Sequence, residues 1–250
     1  MKKRHITFCI SILIGPMVHV HAATVMDYHF QDATISVCKV DVGRDLLRIF
    51  WRDETKQNFA KFLPLRAWLL KQNEDLVCAT NAGIFDEQLR PLGLYIENGV
   101  TLRRLNQRKN AYGNFYMQPN GVLLIQAHRA TILDTESLAA RGDQIMQDVL
   151  FATQSGPMLV QSGKINPTFV INSENRLRRN AVCTISPREL VLAVARDPIN
   201  FYDFALFLQN RLGCTDALYL DGNISRMFPG PDFELGPDLG PIIAVIRPSH

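Results

Sequence analysis

Four short segments of the sequence end an apolar, strand-like run with groups able to bind or react. Ala217-Leu218-Tyr219-Leu220 is followed by Asp221-Gly222-Asn223-Ile224-Ser225. Leu76 to Thr80 runs into Asn81-Ala82-Gly83-Ile84-Phe85-Asp86, and Val149 to Thr153 leads to Gln154-Ser155-Gly156-Pro157. Glu189 to Ala195 ends at Arg196-Asp197, and Arg179 stands just ahead of a fifth run, Ala181 to Ile185. A carboxylate placed where a strand leaves the core is held by a rigid element and meets water at the sheet rim, which suits a binding or catalytic group. Gly222 lets the backbone after Asp221 turn sharply or approach a ligand. Each segment alone also reads as a strand followed by an ordinary turn, because Asp-Gly and Asn are common turn formers.

Convergence of these strand ends would gather carboxylates, an arginine, small hydroxyls and flexible backbone. An arginine fork matches phosphate or carboxylate, and carboxylates suit acid/base chemistry at a sugar carbon. Asp221 is then the main catalytic candidate, with Asp86 or Asp197 as its partner. Asn81, Gly83, Ser155, Gly156, Arg179, Gly222 and Ser225 are candidates for holding the substrate. Ser155 lacks the G-x-S-x-G context of a nucleophile elbow, and no P-loop or G-x-G-x-x-G is present. Beyond residue 22 only His29, His128 and His250 occur, scattered and away from these segments, which argues against a histidine-rich metal centre or a Ser-His-Asp triad. No cofactor is expected; a divalent cation held by Asp221 and its neighbours is an open alternative.

The elements that must position these groups read as one α+β domain, a strand-rich mixed sheet core with about three helices. The helices are Phe59 to Lys71, with a bend or boundary at Pro64, Thr135 to Asp148, weakened by Gly142, and Phe201 to Leu212, closed by Gly213. Thr34 to Val40 and Leu46 to Trp51 read as strands joined by a turn at residues 41–44. Asn98-Gly99 predicts a hairpin between Pro91–Glu97 and Val100–Arg104. Pro119-Asn120 predicts a second, between Gly113–Gln118 and Gly121–Gln126. Arg129 to Leu133 is a further strand, and Ile242 to Ile246 closes the sheet. Residues 172–179 and 229–241 read as loops.

The first residues differ from the rest. Lys2, Lys3 and Arg4 precede an apolar run from Phe8 to Val18, and Val20-His21-Ala22 offers small residues where a signal peptidase cuts. This predicts a signal peptide over 1–22, a globular domain over 23–250, a periplasmic or secreted location and no stable membrane insertion after cleavage. The leader holds three basic residues and no acid, so 27 − 3 = 24 basic residues balance 24 acidic ones in the remainder. The net charge of +3 therefore gives no reason to expect a nucleic-acid partner. Cys38, Cys78, Cys183 and Cys214 show no zinc-ligand spacing. In an oxidising compartment they could form two bridges in three ways, or pack as small hydrophobes in their strands; the pairing stays open.

Taken together, "TNAGIFD", "SGPMLVQSGK", "RRNAVCTI" and "LGCTDALYLDGNISRMF" resemble, in that order and over about residues 74–248, the phosphodiester glycosidase family. That family includes a lysosomal enzyme that uncovers mannose 6-phosphate by removing N-acetylglucosamine, and this chain is more similar to its exported bacterial members. The resemblance implies an exported hydrolase that cleaves a glycosidic bond in a sugar phosphodiester, with a small-molecule or glycan partner carrying that diester. It maps an N-G-G-F-F-like segment onto Asn81 to Phe85, an S-G-P turn onto Ser155 to Pro157, an arginine onto Arg179 and a D-G-G-G-S-like segment onto Asp221 to Ser225. Ala82, Ile84, Asn223 and Ile224 depart from those patterns. Side chains in place of glycine hydrogens imply a different substrate, or a non-catalytic module that binds anionic cell-envelope glycans.

Overall fold

The structure is a computed structural model that describes residues 23–222 and 224–249. The predicted signal peptide lies outside the described residues. In chain order the elements are β1 (Val25–Phe30), β2 (Ala33–Asp41), β3 (Leu46–Phe50), α1 (Phe62–Lys71), β4 (Glu74–Asn81), β5 (Tyr95–Glu97), β6 (Val100–Arg103), β7 (Gly121–Gln126), β8 (Arg129–Asp134), α2 (Thr135–Ile145), β9 (Phe151–Ser155), β10 (Met158–Gln161), β11 (Lys164–Ile165), β12 (Leu177–Thr184), β13 (Glu189–Ile199), α3 (Phe201–Leu212), β14 (Asp216–Tyr219), β15 (Met227–Phe228) and β16 (Ile242–Pro248). This is the expected strand-rich α+β domain with three helices. No helix among the described residues is long and apolar enough to cross a membrane.

The strands form three sheets, ordered β1-β2-β13-β12-β14-β10-β11, β15-β4-β16-β3 and β6-β5-β9-β7-β8. Period-two alternation decides how they stack. On β13, Leu190, Leu192 and Val194 point into a core shared by all three sheets, while Val191, Ala193 and Ala195 point the other way. Strand β16 repeats the division with Ile243 and Val245 inward and Ile242, Ala244 and Ile246 outward, and β7 with Leu123 and Ile125 against Val122 and Leu124. Each outer face is closed by one helix: α3 on the seven-stranded sheet, α1 on the four-stranded sheet and α2 on the five-stranded sheet. Strands buried on both faces read as continuous apolar runs, which explains their visibility in the sequence.

The helix ends follow local chemistry. Asp134 accepts from the Ser137 backbone N–H (2.8 Å) at the start of α2, and Asn200 from that of Asp203 (2.8 Å) at the start of α3. Gly213, at φ 75°, ends α3 in the left-handed region that glycine tolerates. Helix α1 has no cap from its own sequence; Glu234, far along the chain, accepts from the Leu63 backbone N–H at 2.8 Å. Pro64 lies in the first turn of α1, where a missing N–H costs nothing, so it marks the helix boundary rather than a bend.

Several predicted strands change. Beta2 and β3 are joined by the expected turn but part into different sheets, β2 pairing with β1 and β13 and β3 with β16. The hairpin across Asn98-Gly99 forms. The one across Pro119-Asn120 does not: β8 and β9 occupy both edges of β7, and residues 114–116 form a short 3₁₀ turn instead. Strand β13 continues past Ala195 to Ile199, and β12 begins at Leu177, so Arg196, Asp197 and Arg179 lie within strands rather than at their ends.

All four cysteines among the described residues are paired. Cys38–Cys78 ties β2 to β4 across the shared core, and Cys183–Cys214 ties β12 to the segment after α3. Their separations of 40 and 31 residues correspond to about 3–4 kcal/mol each if the bridge acts by restricting the unfolded chain. Replacing Cys183 and Cys214 together by alanine should lower the unfolding free energy by about 2–4 kcal/mol in urea titration; an unchanged midpoint would show that this bridge does not hold α3 to its sheet.

Candidate active site

Two of the three central segments of the prediction meet at one side chain, and the third joins them through Leu220. Asn180, on β12, points into the space between the seven-stranded and four-stranded sheets and is fully buried. Its amide nitrogen donates to the Thr80 hydroxyl (3.1 Å) and the Asn81 carbonyl (3.0 Å) on β4. Its side-chain oxygen accepts from the Asp221 backbone N–H at 2.7 Å, and its backbone carbonyl accepts from Leu220 N–H at 3.2 Å. The Ser155 hydroxyl, at the end of β9, donates to the Leu220 carbonyl (2.7 Å) and accepts from Ile84 N–H (3.3 Å). Asn81, Gly83, Ser155 and the Asp221 backbone are therefore joined through one buried network. Gly83 N–H donates to the Thr153 hydroxyl at 3.2 Å, and a β-carbon at Gly83 would collide with the backbone of Gln154 and that hydroxyl.

Beyond the network the chain turns at once. Asp221 accepts from the Gly222 N–H (2.7 Å), Ser225 N–H donates to the Gly222 carbonyl (2.8 Å), and the Ser225 hydroxyl donates to the Asp221 carbonyl. Burial pushes the Asp221 carboxyl up to about 6, with the Gly222 N–H pulling the other way. Burial likewise raises the neighbouring Tyr219 hydroxyl to about 12; Arg179 opposes that shift and Asp221 adds to it. A β-carbon at Gly222 would strike the Tyr219 hydroxyl, so glycine is what lets the turn close over it. Arg179 is 1% exposed; its guanidinium stacks on Phe201 at 3.9 Å and donates to the Ile199 (3.2 Å) and Asn175 (3.1 Å) carbonyls. Tyr219, on the α3 side of the sheet, thus lies within electrostatic reach of both Arg179 and Asp221.

The other predicted residues are engaged elsewhere. Asp86 accepts from the Gln88 N–H (3.0 Å) and from both the backbone N–H (2.9 Å) and the side chain (2.8 Å) of Arg90. Burial pushes its carboxyl up, but those donors outweigh it and hold it below the usual range. Asp197 accepts from Thr34 N–H at 2.8 Å, and that bond, with Arg196 and Arg178 nearby, also holds its carboxyl low. Neither has a hydrogen bond to Asp221. Gly156 packs tightly: a β-carbon there would press on the Asn120 side chain (2.7 Å) and the Phe115 carbonyl (2.8 Å). Asn223 lies outside the described residues, and Ile224 packs against the α1 cluster. Among the described residues no three or more His, Cys, Asp or Glu side chains are gathered closely enough to hold a metal ion.

Asn180 and Tyr219 are the site residues that sequence reading passed over. Asn180 was masked by Arg179 beside it, yet a lone amide inside an apolar strand is itself a signal, since a buried amide needs partners. Tyr219 read as filling for the run ALYL.

The α+β fold that carries these residues recurs in other chains. The sequence profile of the phosphodiester glycosidase family, NAGPA, matches residues 74–230. The chain belongs to that family. It is 32% identical over 195 residues to the uncharacterized protein YigE of Escherichia coli K12, covering 78% of this chain and 74% of that one. The catalytic domain of zebrafish N-acetylglucosamine-1-phosphodiester alpha-N-acetylglucosaminidase, auto-inhibited by its pro-peptide, superposes with a TM-score of 0.59 at 14% identity, covering 90% of this chain and 82% of that one. A hypothetical protein from Synechocystis superposes with a TM-score of 0.52 at 15% identity, over 89% and 61% of the two chains. These two superpositions show a shared fold.

Two outcomes follow from the geometry. Asn180→Leu strands the Thr80 hydroxyl, the Asn81 carbonyl and the Asp221 N–H, and should lower the unfolding free energy by at least about 2 kcal/mol in chemical denaturation. The Asp221 carboxyl, raised from 3.8 to about 6, favours the fold when neutral and opposes it once charged, so its contribution is lost as pH rises through about 6. Asp221→Asn should therefore melt close to the parent protein at pH 4 and above it at pH 8. The gap should level off above about pH 6, at no more than about 3 kcal/mol and less for the part of the charge that solvent screens. A gap independent of pH would contradict the raised carboxyl.

Proposed function

We propose that this chain is an exported hydrolase that cleaves the glycosidic bond of a sugar linked through a phosphodiester. The observation that carries the reading is the Asp221 carboxyl just after β14, pushed up to about 6 by burial and close enough to the Tyr219 hydroxyl to act on it. Membership of the phosphodiester glycosidase family supports it, and the zebrafish relative's own name specifies a sugar 1-phosphodiester. Export is supported by the basic and apolar start of the sequence and by two disulfides, which persist in oxidising compartments.

The chemistry sets the roles. Water adds to the sugar carbon, the bond to the phosphate oxygen breaks, and a phosphate monoester leaves. Phosphate leaves readily, so the main demand is stabilisation of positive charge growing at the sugar carbon, which an ionised Asp221 supplies best in a dry site. Asp86 is committed to its own turn and Asp197 to the Thr34 N–H of a neighbouring strand, so Tyr219 rather than a second carboxylate is the group near Asp221 able to donate a hydrogen bond. Arg179 keeps the phenol oriented and adds positive charge. Asn81, whose side-chain nitrogen is buried with no partner among the described residues, offers a donor to a substrate oxygen, while Ser155, filled by Leu220 and Ile84, fixes the turn that carries Asp221.

One observation favours a second reading. Ile224 stands where the family pattern has glycine, a departure that suits a module binding anionic envelope glycans without turning them over. Assay of purified protein on nucleoside-diphosphate sugars and methyl diesters of sugar 1-phosphates separates the two. Turnover is expected, with kcat/KM rising as pH passes about 6 and falling roughly 10²–10⁴-fold in Asp221→Asn. Undiminished turnover in that variant would remove Asp221 from the mechanism, and binding without turnover in the parent would favour the module.

A further inference from the structure

A second charged site lies a few residues beyond Asp221. Arg226 is 4% exposed, yet its Nε and one terminal nitrogen have no hydrogen-bond partner among the described residues; the other donates to the Pro237 carbonyl at 2.8 Å. Buried polar groups are ordinarily paired, and an unpaired guanidinium is among the costliest exceptions. Burial pushes Arg226 below its ordinary range, with Glu234 and Asp238 only partly opposing the shift. The fold does not dispose of this charge: Arg226 lines a cavity of about 200 Å³ together with Arg178, Ser225, Asp232, Gly236 and Pro237. At about 30 Å³ per water, that is room for several waters or a small oxyanion. On its other side, Arg226 and Arg178 also border a narrow cleft with Ser36 and Arg196.

The roof of the cavity is the loop over residues 229–241. It is fastened at its far side, where Glu234 caps α1 and the Lys61 ammonium donates to the Glu234 and Gly236 carbonyls (both 3.4 Å). On the cavity side it is held by Arg226 and by Arg178, which meets Asp232 at 3.5 Å. The Arg178–Asp232 pair has side chains 40% and 45% exposed, a geometry worth little in water and open to exchange for a stronger anion. Two arginines, one with unspent donors, match the oxygens of a phosphate.

We propose that the cavity between Arg178, Arg226 and the 229–241 loop is a phosphate-binding site, with phosphate replacing Asp232 on Arg178 and taking up the unpaired nitrogens of Arg226. The phosphate is either the one carried by the diester substrate, which rests on the reading under Proposed function, or free phosphate, which does not.

The test is calorimetric titration of inorganic phosphate into the purified chain and three variants. The parent and Asp221→Asn should bind alike, whereas Arg226→Met and Arg178→Gln should each bind at least tenfold more weakly. Arg178 is exposed enough for its variant to fold even where Arg226→Met does not. No phosphate binding by the parent at millimolar concentration, or equal binding by the parent and Arg178→Gln, overturns the proposal. The source of the phosphate is read from turnover: competitive inhibition by inorganic phosphate, with a raised KM and unchanged kcat in the variants, marks the substrate's own group, and non-competitive inhibition marks free phosphate. Should the protein turn nothing over, the titration still decides whether the site exists.

Discussion

The side chain of Asn180 is the constraint on which the rest of this structure depends. It is a single amide placed where two sheets face each other, and it spends both ends on backbone or hydroxyl groups of other segments. A buried amide without partners would be costly, so the two sheets cannot slide or rotate without breaking it. The Asp221 turn begins at one of its bonds, and the end of β4 is fixed by two more. What lies above the network inherits its position: the half-buried carboxylate, the phenol close to it and the arginine that packs near the phenol ring.

The arrangement around that amide divides labour between two faces of β12. Asn180 points inward and locks sheet to sheet, while Arg179, one residue earlier, points outward beneath α3 and stacks on Phe201. Adjacent residues on a strand point to opposite faces, so one dipeptide serves structure and electrostatics at once. The helix over the outer face is itself locked by Asn200, Gly213 and the Cys183–Cys214 bridge, so Phe201 is held where Arg179 needs it. The buried charge of Arg179 is satisfied by fixed carbonyls, whereas Arg226 retains unpaired donors beside a cavity. That contrast separates a positioning arginine from one with capacity left for a ligand.

Much of the candidate site was legible because strands end abruptly. Asp221-Gly222, Asn81 to Gly83 and Ser155 each interrupt an apolar run, and all three do meet. Asp86 and Asp197 look the same in sequence, yet short-range donors consume both: Arg90 four residues on in one case, Thr34 on a neighbouring strand in the other. A carboxylate that caps a turn and one that is buried with a single donor have the same one-letter neighbourhood. The failed hairpin at Pro119-Asn120 has a similar cause, since the turn signal was local but both edges of β7 went to strands elsewhere in the chain.

By itself, then, the sequence determined what depends on neighbours a few residues apart: the three helices and most of their ends, the strands buried on both faces, the order of motifs that carries the family, and the glycine that frees the Asp221 turn. Tertiary structure alone decided which cysteines pair, how the strands divide among three sheets, that Glu234 caps a helix far from it in the chain, and which polar residues face a common space. Those outcomes turn on which buried groups remain unpaired once the chain is compact, and the desolvation that raises the Asp221 carboxyl while turn donors keep that of Asp86 low arises only when distant segments close over one and not the other.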